Sequence, residues 1–125
     1  MSKKIEYFPL VYSCSGCSNL AQMANDLAIV LDREKHAQMS CIAGVGGNVK
    51  GLVKIAKSGR PILALDGCKI ACVKQVLHQH NIKPTWHLEL SSLGLKKREH
   101  QNYSISDMHK ALNSVYQFLP VRQLE

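Results

Sequence analysis

The chain is 125 residues long, with 46% hydrophobic and 20% charged residues, close to the average of globular domains. This composition excludes a disordered chain and a coiled coil, and no apolar run reaches the roughly 18 residues that a membrane span needs. Sixteen basic and nine acidic residues give a formal net charge of +7, which makes a polyanion such as a nucleic acid a candidate partner. We expect a single domain over residues 1–125 and, without an export signal, a cytoplasmic protein.

Short apolar runs alternate with helical patterns in the first half of the chain. Residues 7–13 are rich in β-forming residues and predict a strand that tolerates Pro9 near its start. Ser15 or Ser18 is expected to cap a helix over residues 19–34. Residues 39–43 predict a second strand, followed by a glycine-rich turn and a short helix over residues 49–57. The apolar stripe of the long helix is Leu20, Met23, Ala24, Leu27, Ala28 and Leu31.

The second half of the chain continues the same alternation. Residues 62–65 form a nearly continuous apolar run, typical of a strand buried on both faces. Asp66 and Gly67 turn the chain into a helix over residues 70–80, and residues 85–90 predict a fourth strand. A capping box at residues 104–107 begins a last helix, which Pro120 ends. We therefore predict an α/β fold of three layers, an about four-stranded, mainly parallel sheet with helices on both faces.

Five cysteines follow the predicted strands. Cys14 and Cys17 form a C-x-x-C motif after the first strand, Cys41 lies in or at the end of the second, and Cys68 and Cys72 follow the third. The carboxyl ends of parallel strands share one edge of a sheet, where such folds bind their ligands. The topology therefore predicts that cysteines distant in sequence gather at this edge.

The spacing of the cysteines predicts a zinc site. Cysteines in a chain without an export signal indicate metal or redox chemistry rather than disulfides. Cys68 and Cys72 are expected on one helix face with Cβ atoms about 5–6 Å apart, and the turn between Cys14 and Cys17 can bring two thiolates onto one ion. Zinc takes four ligands in a tetrahedron, and helix N-termini at Cys17 and Cys68 are expected to lower the pKa of those thiols. Four thiolates (−4) and one zinc ion (+2) would change the net charge from +7 to about +5.

Other assignments of the cysteines stay open. A free cysteine often does nothing but pack in a core, and Cys41 fits that description best by position. The same thiols could serve a redox or sulfur-transfer enzyme that uses Cys14 with Cys17, or Cys68 with Cys72. An iron–sulfur cluster is a further alternative to zinc.

The remaining candidate residues carry weaker signals. Asp66 is expected to cap the next helix rather than to hydrogen-bond a metal-bound sulfur, and His87 reads as an ordinary half-buried histidine. The basic run at residues 96–100 is predicted to be a solvated face, so nucleic acid is a disfavoured partner. The glycines at residues 44–47 predict a tight turn, not a phosphate-binding loop. An exposed edge strand would allow a homodimer.

Several segments resemble the DGC-domain family of small bacterial proteins, which is named for an Asp-Gly-Cys motif. The resemblance covers roughly residues 10–100. It implies a zinc-binding domain whose ligands fall on Cys14, Cys41, Cys68 and Cys72, with Cys17 as an addition. Spacing alone favours Cys17 over Cys41, so the choice of the fourth ligand stays open, and the resemblance implies no reaction. The matching segments are residues 14–16, 18–19, 39–44, 64–68, 71–72 and 93–97.

The sequence therefore predicts a cytoplasmic zinc-binding protein with a cysteine-thiolate site at the carboxyl edge of a parallel sheet. Its expected partner is the metal ion, and no membrane contact is expected. No catalytic residue is assigned.

Overall fold

A computed structural model describes residues 8–119 of the chain. Four strands, β1 (Leu10–Ser13), β2 (Gln38–Met39), β3 (Ile62–Asp66) and β4 (Trp86–Glu89), form one sheet in the order β2-β1-β3-β4. All three pairings are parallel, as predicted. β1 is an interior strand, and Pro9 directly precedes it, where its missing N–H removes no ladder hydrogen bond.

Helices cover both faces of the sheet and confirm the three-layer α/β prediction. α1 (Asn19–Arg33) and α5 (Ile105–Tyr116) pack on one face. α2 (Ile42–Gly46), α3 (Lys50–Ala56) and α4 (Cys72–Gln79) pack on the other. A short 3₁₀ turn at Leu90–Leu93 follows β4.

Two apolar cores flank the sheet because successive strand residues point to opposite faces. Val11, Leu63 and Leu65 face α1 and α5, whereas Leu10, Tyr12 and Ala64 face the other helices. The predicted stripe of α1 is confirmed, since all six of its members are fully buried. The amphipathic pattern of these residues is therefore enough to predict where α1 lies and which of its faces is buried.

The predicted second strand is largely wrong. β2 ends at Met39, and residues 42–46 form α2 rather than strand and turn. Cys41 is the N-cap of α2, where its Sγ accepts a hydrogen bond from the Gly44 N–H at 3.3 Å. A thiol in the place of the usual hydroxyl or carboxylate cap conceals this helix start from the sequence.

Other boundaries differ from the predictions by a few residues. Ser18, not Ser15, caps α1 by accepting from the Ala21 N–H at 3.1 Å. α4 begins two residues later than predicted because Ala71 adopts a left-handed conformation, with φ 54° and ψ 54°. α5 ends at Tyr116. The start of the first predicted strand at Tyr7 and the helix stop at Pro120 lie outside the described residues.

The carboxyl ends of β1 and β3 form the topological switch point of the sheet. These two strands are neighbours, yet β1 leads into α1 on one face and β3 leads towards α4 on the other. Open α/β sheets bind ligands in the crevice that such a reversal creates. Cys14 follows β1, and Gly67 and Cys68 follow β3.

Asp66 is the buried anchor of this edge. Its carboxylate accepts from the backbone N–H groups of Val73 and Lys74, at 2.8 and 3.3 Å, in the first turn of α4. The same carboxylate lies 2.8 Å from the His87 Nε2 on β4. Because only 1% of Asp66 is exposed, these three partners replace the water that a buried charge loses. The predicted capping role is confirmed.

Residue 67 has to be glycine because its backbone lies very close to the backbone of α1. A Cβ at this position would lie 2.9 Å from the carbonyl carbon of Leu20 and 3.0 Å from the nitrogen of Ala21. The first turn of α1 thus packs directly on the chain that leaves β3. Any side chain at residue 67 would push α1 away from the switch point.

We predict that Gly67→Ala lowers the free energy of unfolding by about 1–3 kcal/mol, because the added methyl meets backbone that cannot rotate aside. Gly51 in α3 is the matched control, since a Cβ there meets nothing within 4 Å. Gly51→Ala should instead stabilise by up to about 1 kcal/mol through helix propensity. Urea denaturation measures both variants, and a Gly67→Ala protein as stable as wild type would contradict the packing described here.

Tyr103 ties the segment before α5 to α1. Its hydroxyl donates to the Asp26 carboxylate at 2.6 Å. This hydrogen bond, with burial and the negative charge of Asp26, raises the pKa of Tyr103 from 10.0 to about 12. A raised pKa means that the stabilisation is complete below the unfolded value and disappears as pH rises through the folded value.

Tyr103→Phe should therefore cost about 1 kcal/mol at neutral pH. It should also remove the part of the alkaline stability loss between pH 10.0 and about 12 that this group contributes. Tyr116→Phe is the control, because its hydroxyl makes a longer contact of 3.4 Å with Glu34 and should cost less. Chemical denaturation at a series of pH values tests this, and an unchanged pH profile in Tyr103→Phe would refute it.

Candidate thiolate site

All five cysteines are free thiols at or near the carboxyl edge of the sheet. Cys14 and Cys68 are half-buried, whereas Cys17, Cys41 and Cys72 are exposed. Cys14 and Cys68 lie at the switch point itself. Cys72 is the first residue of α4, Cys41 caps α2 after β2, and Cys17 precedes the cap of α1.

Cys14 is the centre of an electrostatically linked group of thiols. Its Sγ accepts from the Gly67 N–H at 3.2 Å. Burial raises the pKa of Cys14 to about 11, and the negative charges of Asp66, Cys72 and Cys68 add to that rise, while the Gly67 N–H opposes it. Charges act on one another in this way only when they are close. The fold therefore brings Cys14, Cys68 and Cys72 into one neighbourhood.

Cys41 belongs to the same edge through α2. Besides capping α2 with its sulfur, it lies near Tyr12 on β1. Burial is the main cause of the raised pKa of Tyr12, and the negative charge of Cys41 adds to it. α2 packs against α4, which begins with Cys72, so the two helix N-termini carry one cysteine each.

Residues 95–100, which we call the 95–100 segment, are distant in sequence from Cys14 and Cys17 but lie beside the start of α1. It runs past the start of α1, where the Asn19 N–H donates to the Arg98 carbonyl at 3.0 Å and the Arg98 N–H donates to the Asn19 Oδ1 at 2.6 Å. The Asn19 side-chain amide also donates to the Lys96 carbonyl at 2.9 Å, and the His100 N–H donates to the Cys17 carbonyl at 3.1 Å. Asn19 thus holds this segment against the start of α1 through hydrogen bonds of its backbone and its side chain.

The 95–100 segment delivers two charged side chains to two different thiols. Lys97 Nζ lies 3.6 Å from the Cys68 Sγ and 3.5 Å from the Glu99 Oε1. Cys17 Sγ donates to the Glu99 Oε2 at 2.8 Å. The negative charge of Cys68 raises the pKa of Lys97. Cys68 therefore faces a cation, and Cys17 faces an anion.

The expected lowering of the Cys17 pKa is wrong. The hydrogen bond to the Glu99 carboxylate raises the pKa of Cys17 instead. Cys17 precedes the N-cap of α1 and does not lie in its first turn, where a helix N-terminus acts most strongly. A full carboxylate charge outweighs the partial charge of the helix end.

The predicted geometry of Cys68 and Cys72 is also wrong. They do not share a helix face, because α4 starts only at Cys72 and Cys68 lies in the preceding turn. Within residues 8–119, no three Cys, His, Asp or Glu side chains are arranged closely enough to hold a metal ion. The structure gathers Cys14, Cys68 and Cys72 into one neighbourhood, but their sulfur atoms do not form a finished coordination sphere.

Sequence reasoning missed Lys97, Glu99 and Asn19 as parts of the site. The basic run at residues 96–100 predicts a solvated face, and the residues there are indeed exposed. The contacts to Cys17 and Cys68 span 82 and 29 residues of sequence, so no local spacing reports them. The one available signal was the resemblance of residues 93–97 to the same family as the cysteine motifs.

Comparison with known proteins agrees with that resemblance. The family described as DGC domain matches residues 10–115. Over 102 residues the chain is 61% identical to the protein named "Anaerobic and virulence modulator AnvM" of Pseudomonas aeruginosa, an alignment that covers 82% of this chain and 78% of that protein. No solved structure matches the chain, and no helix among residues 8–119 is long and apolar enough to cross a membrane. With its Asp66-Gly67-Cys68 motif at the switch point, the chain belongs to the DGC domain family.

Proposed function

We propose that this protein binds one zinc ion through cysteine thiolates at the carboxyl edge of its sheet. The observation that carries the proposal is the position of Cys14 and Cys68 directly beyond the neighbouring strands β1 and β3, where the Gly67 N–H donates to the Cys14 Sγ at 3.2 Å. A divalent cation that replaces the protons of neighbouring thiols also neutralises the repulsion between the resulting thiolates. The switch point of an open α/β sheet is also where such folds bind ligands.

The donor chemistry fits zinc. Cysteine thiolates are common ligands of zinc in tetrahedral sites, and metal-bound sulfur is commonly supported by hydrogen-bond donors. Here the Gly67 N–H faces Cys14, the Gly44 N–H faces Cys41 and the Lys97 ammonium faces Cys68. Bound zinc would supply a redox-inert centre that links β1 to the turn after β3. Binding would draw the sulfur atoms closer together than they are in the structure.

Cys17 is the thiol that we leave out of the ligand set. The Cys17 Sγ already donates to the Glu99 carboxylate at 2.8 Å, and binding a metal would require the loss of that proton and of its hydrogen bond. The four remaining thiols are Cys14, Cys41, Cys68 and Cys72, which are the positions that the family resemblance implies.

We further propose a regulatory rather than a catalytic role in a reducing compartment, the cytoplasm. The similar Pseudomonas aeruginosa protein is named a modulator, and we carry that class of role to this chain. Zinc–thiolate sites require reduced sulfur, which the cytoplasm maintains. Zinc occupancy would then report the availability of metal and the redox state of the thiols.

Elemental analysis of anaerobically purified protein tests the ligand set. We expect one zinc per chain and no visible absorption band. Cys68→Ser should lose most of the zinc, whereas the matched variant Cys17→Ser should retain it, because Glu99 already holds Cys17 in its thiol form. Unchanged zinc in Cys68→Ser would refute the proposed site, and loss in Cys17→Ser would refute the choice of ligands. If the protein instead contains iron and shows the visible absorption of iron–sulfide bonds, the site holds an iron–sulfur cluster and not zinc.

A second candidate, thiol chemistry, is favoured by the contact between Lys97 and Cys68. A lysine ammonium beside a thiol stabilises the nucleophilic thiolate. Metal-free protein whose Cys68 reacts rapidly with iodoacetamide at neutral pH, and slowly after Lys97→Met, would support a redox or sulfur-transfer role. Slow labelling at Cys68 would exclude it, and stoichiometric zinc in the purified protein would favour the first proposal.

A further inference from the structure

Charge is strongly segregated along this chain. From Lys35 to Leu88 the sequence contains a single acidic residue, Asp66. Asp66 is 1% exposed and its carboxylate is occupied by α4 and His87. The same stretch contains eight basic residues, Lys35, Lys50, Lys54, Lys57, Arg60, Lys69, Lys74 and Lys83. The helical layer built from α2, α3 and α4 therefore presents no exposed acidic side chain to solvent.

Five exposed lysines define what we call the basic layer: Lys50, Lys54, Lys57, Lys69 and Lys74. Three of them recur at intervals of four and three residues along α3 and share one side of it. Among the residues from 8 to 119, none of the five forms an ion pair. The positive charge of this layer is therefore uncompensated within the described fold.

Only part of the positive charge on α3 suits the dipole of that helix, because Lys54 lies in its last turn and Lys57 is its C-cap. Like charges four residues apart repel one another. Lys50 stands at the N-terminal end of α3, where a positive charge opposes the helix dipole, and no acidic residue lies in the first turn. The placement of Lys50 is therefore explained better by an external partner than by folding.

Three exposed aliphatic side chains are direct sequence neighbours of these lysines: Val49 of Lys50, Ile55 of Lys54 and Ile70 of Lys69. Four large hydrophobic residues in the described part of the chain are exposed, and three of them, Val49 (51%), Ile55 (37%) and Ile70 (58%), belong to this layer. Contiguous apolar patches rimmed by polar groups are typical of binding surfaces, and a partner that covers these three side chains would remove their apolar area from water. Ile70 lies between Cys68 and Cys72, so this surface extends to the thiolate site.

We propose that the basic layer docks an acidic protein segment that carries aliphatic side chains. Carboxylates of the partner would pair with the lysines, and its aliphatic groups would cover Val49, Ile55 and Ile70. This inference goes beyond zinc binding and does not depend on it. Complementary charge of this kind raises the rate and specificity of association.

The composition of the layer favours this partner over others. Readers of single-stranded nucleic acid use aromatic stacking and arginine, but residues 41–85 contain no Phe, Tyr or Trp. Arg60, the arginine of this stretch, donates to the Phe8 carbonyl at the amino end of the sheet. A second copy of the chain docked through the same layer would bring lysines against lysines.

Fluorescence anisotropy with three labelled probes tests the proposal on the full chain. The first probe is a 16-residue peptide of glutamate and leucine, the second replaces every leucine by serine at the same charge, and the third is a 16-base-pair DNA duplex. We expect the glutamate–leucine peptide to bind at least about tenfold more tightly than the other two, since it alone buries aliphatic surface. Equal affinity for both peptides, or tighter binding of DNA, would overturn the proposal.

Matched charge-reversal variants locate the surface. Lys50→Glu, Lys54→Glu and Lys57→Glu in one protein should weaken binding of the glutamate–leucine peptide by about tenfold or more. The control reverses Lys35, Lys96 and Lys110, three exposed lysines outside the layer, and should weaken it less than about threefold, because salt screens distant charges. Equal effects of the two triple variants would refute the assignment.

A separate variant tests the apolar part without changing charge. Val49→Ser with Ile70→Ser should remove most of the preference for leucine over serine in the probe, and an unchanged preference would contradict docking at this layer. All substituted side chains are exposed, and urea denaturation of each variant verifies that it folds.

Discussion

The close contact between Gly67 and the first turn of α1 is the constraint on which the rest of the site depends. It brings the turn after β3 against the backbone of Leu20 and Ala21, and so places the Gly67 N–H on the Cys14 sulfur. The Gly67 carbonyl in turn accepts from the Ser91 N–H at 3.1 Å, which fixes the 3₁₀ turn that leads into the 95–100 segment. The glycine of the Asp-Gly-Cys motif is thus a packing residue, and the aspartate beside it is a helix cap.

Fixed charges then divide the thiols into two kinds. The Asp66 carboxylate accepts from the first turn of α4 and contacts His87, so it stabilises this edge of the sheet without a hydrogen bond to a thiol. Lys97 sets a cation beside Cys68, and Glu99 sets an anion beside Cys17, although both come from one short segment. Lys97 and Glu99 also pair with each other. Lys97 favours the metal-binding thiolate form of Cys68, whereas Glu99 keeps Cys17 protonated. In water such exposed contacts are individually weak, but here the hydrogen bonds of Asn19 to Lys96 and Arg98 hold the backbone that carries both side chains.

Sequence reasoning succeeded where structure follows from local pattern and failed where it follows from distant contacts. The stripe of α1 and the parallel sheet were predictable because a long amphipathic helix and buried apolar strands carry clear periodicities. α2 was missed because a cysteine caps it, and the late start of α4 was missed because a left-handed alanine has no sequence signature. The gathering of Cys14, Cys68 and Cys72 at one edge was predictable from strand order alone. The division of labour between Cys17 and Cys68 was not, since it is imposed by residues far away in sequence.

X-ray absorption at the zinc edge of the protein purified with its metal tests the central claim most directly. The account predicts four sulfur neighbours at about 2.3 Å, and a spectrum that is identical in Cys17→Ser because that thiol stays with Glu99. A shell that contains nitrogen or oxygen, or a sulfur count that falls in Cys17→Ser, would contradict a site built from Cys14, Cys41, Cys68 and Cys72.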